Sequence, residues 1–316
     1  MKAIDHTFAE IELPKPSPTG RDLLVKVEAI SVNPVDTKQR KTATAGKILG
    51  WDASGIVEAV GKEVSLFKPG DAVYYAGDVT RPGCDSEFHL VDERIVGRKP
   101  KKLDFAQAAA MPLTSITAWE AFYDRMHVVP GKTMLIIGGA GGVGSIGIQL
   151  AKSSNLKVIA TASRPESIAW VKELGADQVV NHRENLVSQI SKPVDYIANF
   201  SGELDAYWPA MAELIAPQGA MVAIVGNQKP MAMDVVRSKS ATMCWELMFT
   251  RSRFQTADMI EQHRLLNEVS ARLDAGKLKC TLKETLSPIS GANLKKAHER
   301  LESGTMIGKL VLKGWR

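Results

Sequence analysis

Apolar and polar residues alternate in short runs through the first third of this chain. Val25-Lys-Val-Glu-Ala29 has the two-residue period of a half-buried strand, and Met1–Asp5, Gly55–Val60, Ala72–Tyr75 and Phe88–Val91 read as strands as well. Turns rich in proline and glycine follow at Pro14-Lys-Pro16-Ser-Pro18, Lys68-Pro-Gly-Asp71 and Arg81-Pro-Gly83. Many short strands with such turns predict a small, irregular, β-rich barrel. Phe105–Tyr123 reads as helix interrupted at Pro112.

From Gly131 the texture changes to strand and helix in alternation. Strands are expected at Thr133–Ile137, Lys157–Thr161, Gln178–Val180, Val194–Asn199, Ala220–Val225 and Ala241–Phe249, with helices at Gly142–Ser154, Glu166–Leu174, Leu204–Ile215 and Asp258–Ala275. Repeated βα units predict a parallel sheet wound on both faces. Near the end, strand candidates Lys283–Leu286 and Lys309–Leu312 flank a helix, Ala292–Glu302, with no phosphate-binding turn, so this part is expected to return to the first domain. The reading is an α/β chain with a catalytic domain over 1–118, a nucleotide domain over 119–257 and a return to the first domain over 258–316.

Composition changes this picture little. At 316 residues, 45% hydrophobic and 24% charged, the chain is long enough for two cores and has the balance of a soluble globular protein. Its net charge of +5 is scattered, with no basic block of the kind that marks a nucleic-acid arm. Cys84, Cys244 and Cys280 are odd in number and far apart, which makes neither a disulfide framework nor a metal pair and suits a reducing cytoplasm. No run approaches the ~18 apolar residues of a membrane helix. The expected partners are therefore small molecules and not nucleic acid or membrane.

Chemistry concentrates in one turn. Gly139-Ala-Gly141-Gly142-Val143-Gly144 fits G-x-G-x-x-G between an apolar strand and an apolar helical pattern. In a dinucleotide site the first glycine allows the tight turn, the second lets backbone approach a pyrophosphate and the third lets helix pack on strand. The helix start adds free N–H groups and a positive dipole end. An NAD-preferring site carries a carboxylate roughly 20 residues further on to bond the ribose 2′-OH. The second strand instead ends in Ser163-Arg164-Pro165, with no acid until Glu166. Arg164 suits a 2′-phosphate, and Ser163 can cap the following helix and add a donor, so the expected cofactor is NADPH.

These residues carry a family likeness. The Gly138–Gly144 turn, Lys172-Glu-Leu-Gly-Ala-Asp177, Leu66-Phe-Lys-Pro-Gly-Asp71 and Ser54-Gly-Ile-Val-Glu58 occur in order over essentially the whole chain. Together they resemble the medium-chain dehydrogenase/reductase superfamily, quinone oxidoreductase branch. Within it, Asn33-Pro-Val-Asp-Thr-Lys38, Pro112-Leu-Thr-Ser-Ile-Thr-Ala-Trp119 and Trp245–Arg251 are similar to the group called zinc-type alcohol dehydrogenase-like. The resemblance implies a GroES-like catalytic domain, a Rossmann domain and an active cleft between them. Zinc enzymes of the superfamily place a cysteine in the first catalytic loop and Gly-His-Glu after it. Here those positions read Ile30-Ser-Val-Asn33 and Gly50-Trp51-Asp52, and Cys84 stands alone where a four-cysteine lobe is missing. His89 and Asp52 are the remaining candidates, and two such groups fall short of a zinc site. No metal is expected.

A hydride donor working without a Lewis acid needs an acceptor that is already electrophilic, such as a quinone or an α,β-unsaturated carbonyl. The catalytic candidates are Asn33 and Asp36 in the loop that resembles the family's active-site loop, Lys38 where related quinone reductases have a tyrosine, and Tyr75 as another proton donor. Asn33-Pro34 serves equally as a turn start, and an exposed lysine is the commoner fate of Lys38. Thr117 resembles the threonine lying against the nicotinamide ring, and His182 falls where relatives put a tyrosine near the adenosine phosphate. Asn199, Phe200, Ser201, Val225, Gly226 and Asn227 follow the fourth and fifth strands, at the carboxyl ends where such sheets bind ligands. Met243–Phe249 is apolar enough for a substrate wall or for the contact of a homodimer, the reading favoured here. Rival readings are a zinc alcohol dehydrogenase, an enoyl-thioester reductase and an NADPH-binding structural or sensor protein without turnover.

Overall fold

The computed structural model describes residues 1–315. Two compact units form, one from residues 1–116 with 249 onward and one from Thr117–Met248.

The first unit is organised on one long strand, Asp22–Ser31. On one side it pairs antiparallel with Ala53–Val60, which continues through Ala72–Tyr75 to Val96–Arg98. Its other side is shared: Phe88–Asp92 pairs along its first half and Lys309–Lys313 along its second. Leu282–Leu286 adds in parallel to Lys309–Lys313 and completes a seven-stranded sheet. A pair, Lys2–Ile4 with Glu10–Glu12, stands apart from it. Val25, Val27 and Ala29 are buried while Lys26 is exposed, the alternation its sequence suggested, and ahead of it Leu23 and Leu24 are buried in succession where the strand is flanked on both sides. Leu23, Val25, Ile30, Val57, Val73, Tyr75, Val91, Leu310 and Leu312 make the main core. Helix Ile260–Asp274 buries Leu265, Leu266, Val269 and Leu273, the core stripe expected of it.

Register has a consequence for the site. Val311 faces Ser31 and Ile30 faces Ala53, so Lys309 comes level with Asn33, while Asp52 lies beside Ser31. Three polar residues far apart in sequence thus meet at one end of the sheet.

The second unit is a six-stranded parallel sheet. From edge to edge the strands are Gln178–Val180, Lys157–Thr161, Thr133–Ile137, Val194–Asn199, Ile215–Ala223 and Thr242–Trp245, chain order 3-2-1-4-5-6. This is the order of a dinucleotide-binding fold, reversing direction beside the first strand. Met134 to Ile137 are wholly buried, as a central parallel strand covered on both faces requires.

Two expected elements differ. The fifth strand begins at Ile215, directly after helix Leu204–Leu214, and ends at Ala223 instead of running from Ala220 to Val225. Ile215 is fully buried and pairs with Val194, which draws it out of the helix. The last strand stops at Trp245 instead of Phe249. Phe249 is buried, meets the Trp51 ring edge-on at 6.3 Å and opens the returning part of the first unit, ahead of the expected boundary at 258. Among the described residues no helix is long and apolar enough to cross a membrane.

Candidate functional site

The glycine turn lies at the carboxyl end of strand Thr133–Ile137 and opens helix Gly142–Ser153. The left-handed residue of the turn is Gly138, at φ +81°, and not Gly139 as the fingerprint suggested. Gly139 is required for a different reason: a Cβ there would sit 3.0 Å from Ala160 Cβ and 3.1 Å from the Thr161 carbonyl. A Cβ on Gly144 would fall 2.2 Å from the Gly138 carbonyl, so this glycine lets the helix fold back onto the turn. Gly141 is the helix N-cap, with no side-chain cap bond, and a Cβ there would meet only one atom, at 3.5 Å. Gly141, Gly142 and Val143 are partly open to solvent. The first-turn N–H groups of a helix have no partner within it, so this cradle fits the diphosphate of a dinucleotide. Thr161 Oγ1 accepts from the Gly138 N–H at 3.0 Å and pins the turn to the second strand, a contact missed at the sequence level because no glycine pattern names it.

The second and third strands bring the next residues together. Val180 faces Thr161 in parallel register, so His182 falls beside Ser163, and Ser163 Oγ lies 3.4 Å from His182 Nε2. The N-cap of helix Pro165–Glu173 is Arg164, not Ser163, with Pro165 at the first helical position. The Ser167 hydroxyl accepts from the Arg164 N–H at 3.1 Å, which frees Ser163 from capping. Although the residue as a whole is exposed, partial desolvation of its ring first, then Arg183 and Arg164, push the His182 imidazole below its ordinary range. Arg183 was not singled out from the sequence, where it reads as one more surface cation.

Beyond the fourth strand, Asn199 is fully buried and its Oδ1 accepts from the Ser201 N–H at 3.0 Å and hydroxyl at 2.7 Å. Phe200 stacks on Phe122 with centroids 5.8 Å apart and so packs the loop against its own unit. Val225 is half-buried, and Gly226 and Asn227 are exposed just past the fifth strand. Thr117 is 5% exposed on helix Pro112–Trp119.

In the first unit the catalytic candidates occupy a buried polar cluster. Asn33 caps helix Pro34–Arg40, its backbone N–H donating to Asp36 Oδ2 at 2.7 Å. Its side chain is engaged at both ends: Nδ2 donates to Asp52 Oδ2 at 2.9 Å, and Oδ1 accepts from Lys309 Nζ. Lys309 Nζ also donates to Asp52 Oδ2 and to the Val32 carbonyl, both at 3.0 Å, and Asp52 Oδ1 accepts from the Leu113 N–H at 2.8 Å. Burial raises the Asp52 carboxyl, while Lys309, Asn33 and that N–H pull it back. Asp36 is buried, its Oδ1 has no partner, and burial followed by the nearby Asp85 holds its carboxyl well above the ordinary range.

This corrects the expectation that Asn33, Asp36 and Tyr75 present polar atoms to a substrate. Asn33 and Asp36 are 2% and 1% exposed, and Tyr75 is fully buried with its hydroxyl 3.0 Å from His89 Nδ1. Of the four candidates only Lys38 is exposed. Nor does the donor set fit zinc. His89 Nε2 is taken up by the Pro82 carbonyl at 3.0 Å, and the Asp52 carboxylate is taken up by Lys309, Asn33 and the Leu113 N–H. The Trp51 indole, at the expected histidine position, donates to the Asp78 carbonyl at 3.2 Å. Among the described residues no three His, Cys, Asp or Glu side chains gather as metal ligands.

Residues 19–101 match the family described as alcohol dehydrogenase GroES-like domain, and residues 174–312 that described as zinc-binding dehydrogenase. A zinc-type alcohol dehydrogenase-like protein of Staphylococcus aureus is 44% identical over 317 residues, spanning 96% of this chain and 94% of its own length. A protein of Rhizobium etli CFN 42, provisionally described as a zinc-dependent alcohol dehydrogenase, superposes with a TM-score of 0.95 at 49% identity, over 100% of this chain and 98% of that one. Escherichia coli quinone oxidoreductase complexed with NADPH superposes at 0.84 with 26% identity, over 96% and 95%.

Proposed function

This chain belongs to the medium-chain dehydrogenase/reductase superfamily, and on that premise we propose that it is a zinc-independent, NADPH-dependent reductase of quinones or α,β-unsaturated carbonyls. That it is an oxidoreductase using a nicotinamide cofactor follows from the family. The cofactor, when bound, supplies hydride chemistry. The chain's own residues do the rest. Gly141 to Gly144 hold the diphosphate, Ser163, Arg164 and His182 receive a 2′-phosphate, and Thr117 with the loops at Asn199–Ser201 and Val225–Gly226 borders the nicotinamide half. Asn33 and Asp36 are positioning residues that fix the loop from within, and Lys38 on the same helix faces the substrate oxygen and supplies its proton.

The observation that carries the reading is the Lys309–Asp52–Asn33 cluster. An ammonium sits on the carboxylate next to the residue where a zinc enzyme has its histidine, which supports an acceptor that brings its own electron demand. NADPH oxidation by a small quinone or enone in the presence of a strong chelator tests it, with unchanged kcat expected. Stoichiometric zinc whose removal abolishes turnover, or faster oxidation of simple alcohols with NADP⁺, overturns it. The cofactor choice has its own check: Arg164→Glu raises KM for NADPH about tenfold or more with little effect on NADH.

We also infer a cytoplasmic homodimer. Strand Thr242–Trp245 is paired on one side only, and Trp245 and Leu247 are 49% and 46% exposed beside it. An open apolar edge invites the same edge of a second copy. A monomer mass in sedimentation equilibrium at micromolar concentration rules this out.

A further inference from the structure

The turn after the third strand is built to hold two side chains in place. The Glu184 N–H donates to the Asn181 carbonyl at 3.1 Å, and the Asn181 Oδ1 accepts from the Arg183 N–H at 3.0 Å. Asn181 is itself fixed by Gln189, whose Oε1 accepts from its N–H at 2.8 Å. The Glu184 carboxylate accepts from Asn181 Nδ2 at 2.7 Å. His182 and Arg183 therefore project from a pinned turn at the carboxyl end of the sheet, with Ser163 and Arg164 across from them on the neighbouring strand end.

The charges acting on His182 are both positive, Arg183 from its own turn and Arg164 from the neighbouring helix start. Glu184 is tied to Asn181, and Glu166 on that helix is exposed. A neutral imidazole between two guanidinium groups has no electrostatic reason to charge. A phosphate monoester placed among them reverses the sign, because its two negative charges offset the arginines and favour an imidazolium.

We infer that cofactor binding is coupled to protonation of His182, which takes one proton from solvent as the 2′-phosphate docks, and that Arg183 joins Arg164 in selecting the phosphorylated cofactor. This rests on the reading of Ser163, Arg164 and His182 as the 2′-phosphate end of the site. One O–H bond of hydronium or of a buffer acid breaks and one N–H bond forms at a ring nitrogen; nothing is oxidised or reduced. Because the bound histidine titrates higher than the free one, NADPH binding strengthens as pH falls through the interval between them. The 2′-phosphate acts in the opposite direction. Its second ionisation lies near pH ~6, and docking on arginines holds it ionised, so by itself it releases a proton on binding.

That opposition makes the test clean. Titration calorimetry with NADPH and with NADH, in two buffers of different ionisation enthalpy near pH 6.5, counts protons exchanged per cofactor. The wild-type protein should take up more protons with NADPH than His182→Gln does, by several tenths per site, and neither should exchange protons with NADH. From pH 8 to pH 6 the NADPH Kd should tighten several-fold relative to that of His182→Gln. Arg183→Gln should weaken NADPH about tenfold and leave NADH within twofold. His182 and Arg183 are exposed, so both variants should melt with the wild type. Equal proton counts in wild type and His182→Gln, or an equal loss of both cofactors in Arg183→Gln, overturns the inference while the cofactor reading stands. Equal affinity of the wild type for NADH and NADPH overturns both.

Discussion

At the scale of single residues, Lys309 ties together the buried polar cluster of the first unit. It is 2% exposed and supplies the only cation bonded to Asp52 among the described residues. Deleting one member of a buried ion pair leaves the other uncompensated, at a cost of about 3–5 kcal/mol. Lys309→Met should therefore lower stability by about that much in denaturant unfolding, and Lys309→Met with Asp52→Asn should recover part of it. A single variant as stable as the wild type refutes this account of the cluster. The role was not legible beforehand, since Lys309 lies at the start of a strand 257 residues from Asp52 and local sequence gives it no mark. Asn33 and Asp36 were singled out because their loop resembles the family's active-site loop, but their burial was not foreseen: burial depends on the register of two strands joined across most of the chain.

At the scale of elements, the parallel strands were the most legible part of the fold. Thr133–Ile137, Lys157–Thr161, Gln178–Val180 and Val194–Asn199 begin and end where expected, because each carries a short β-branched apolar run bounded by turn residues. The edge was less legible, as apolar residues continue past Trp245 for a reason other than pairing. Glu246 interrupts them, buried beside Glu120 with Arg125 Nε donating to its Oε2 at 2.8 Å. Burial first, and then Glu120, push the Glu246 carboxyl up to about 9. The Arg125 contact favours an ionised group, but two buried carboxylates facing one guanidinium leave room for one charge, so Glu246 is taken as the protonated member. In the unfolded chain it ionises near its ordinary value, so the stability it contributes is complete below that value and is lost as pH rises towards about 9. Glu246→Gln imitates the protonated form and escapes that loss. Its melting temperature should gain on the wild type steadily from pH 5 to pH 9; parallel curves would show that Glu246 is ionised in the fold.

At the scale of the whole molecule, acid works through histidines held neutral. His298, on helix Gly291–Glu302, packs edge-on to Phe8 at 5.1 Å and has no partner at either ring nitrogen. Burial first, and then Arg40, hold it down to about 4, and burial holds His89 to about 4. Both pKa values lie below the 6.5 of an unfolded histidine, so the unfolded chain takes up protons that the native one refuses. Stability is complete above 6.5 and falls as pH drops towards 4. His298→Leu should be more stable than wild type at pH 5 by a margin that shrinks at pH 8, measured by denaturant unfolding at each pH; a constant margin would trace the effect to packing alone.

The first unit is also discontinuous in the chain. Residues 117–248 form a continuous stretch holding every strand of the parallel sheet, whereas the ammonium and the two strands that complete the other sheet come after it. On a ribosome the nucleotide half can therefore mature first, although its codons are read second. The earlier segment must wait, with Asp52 lacking its ammonium, until Lys309 emerges.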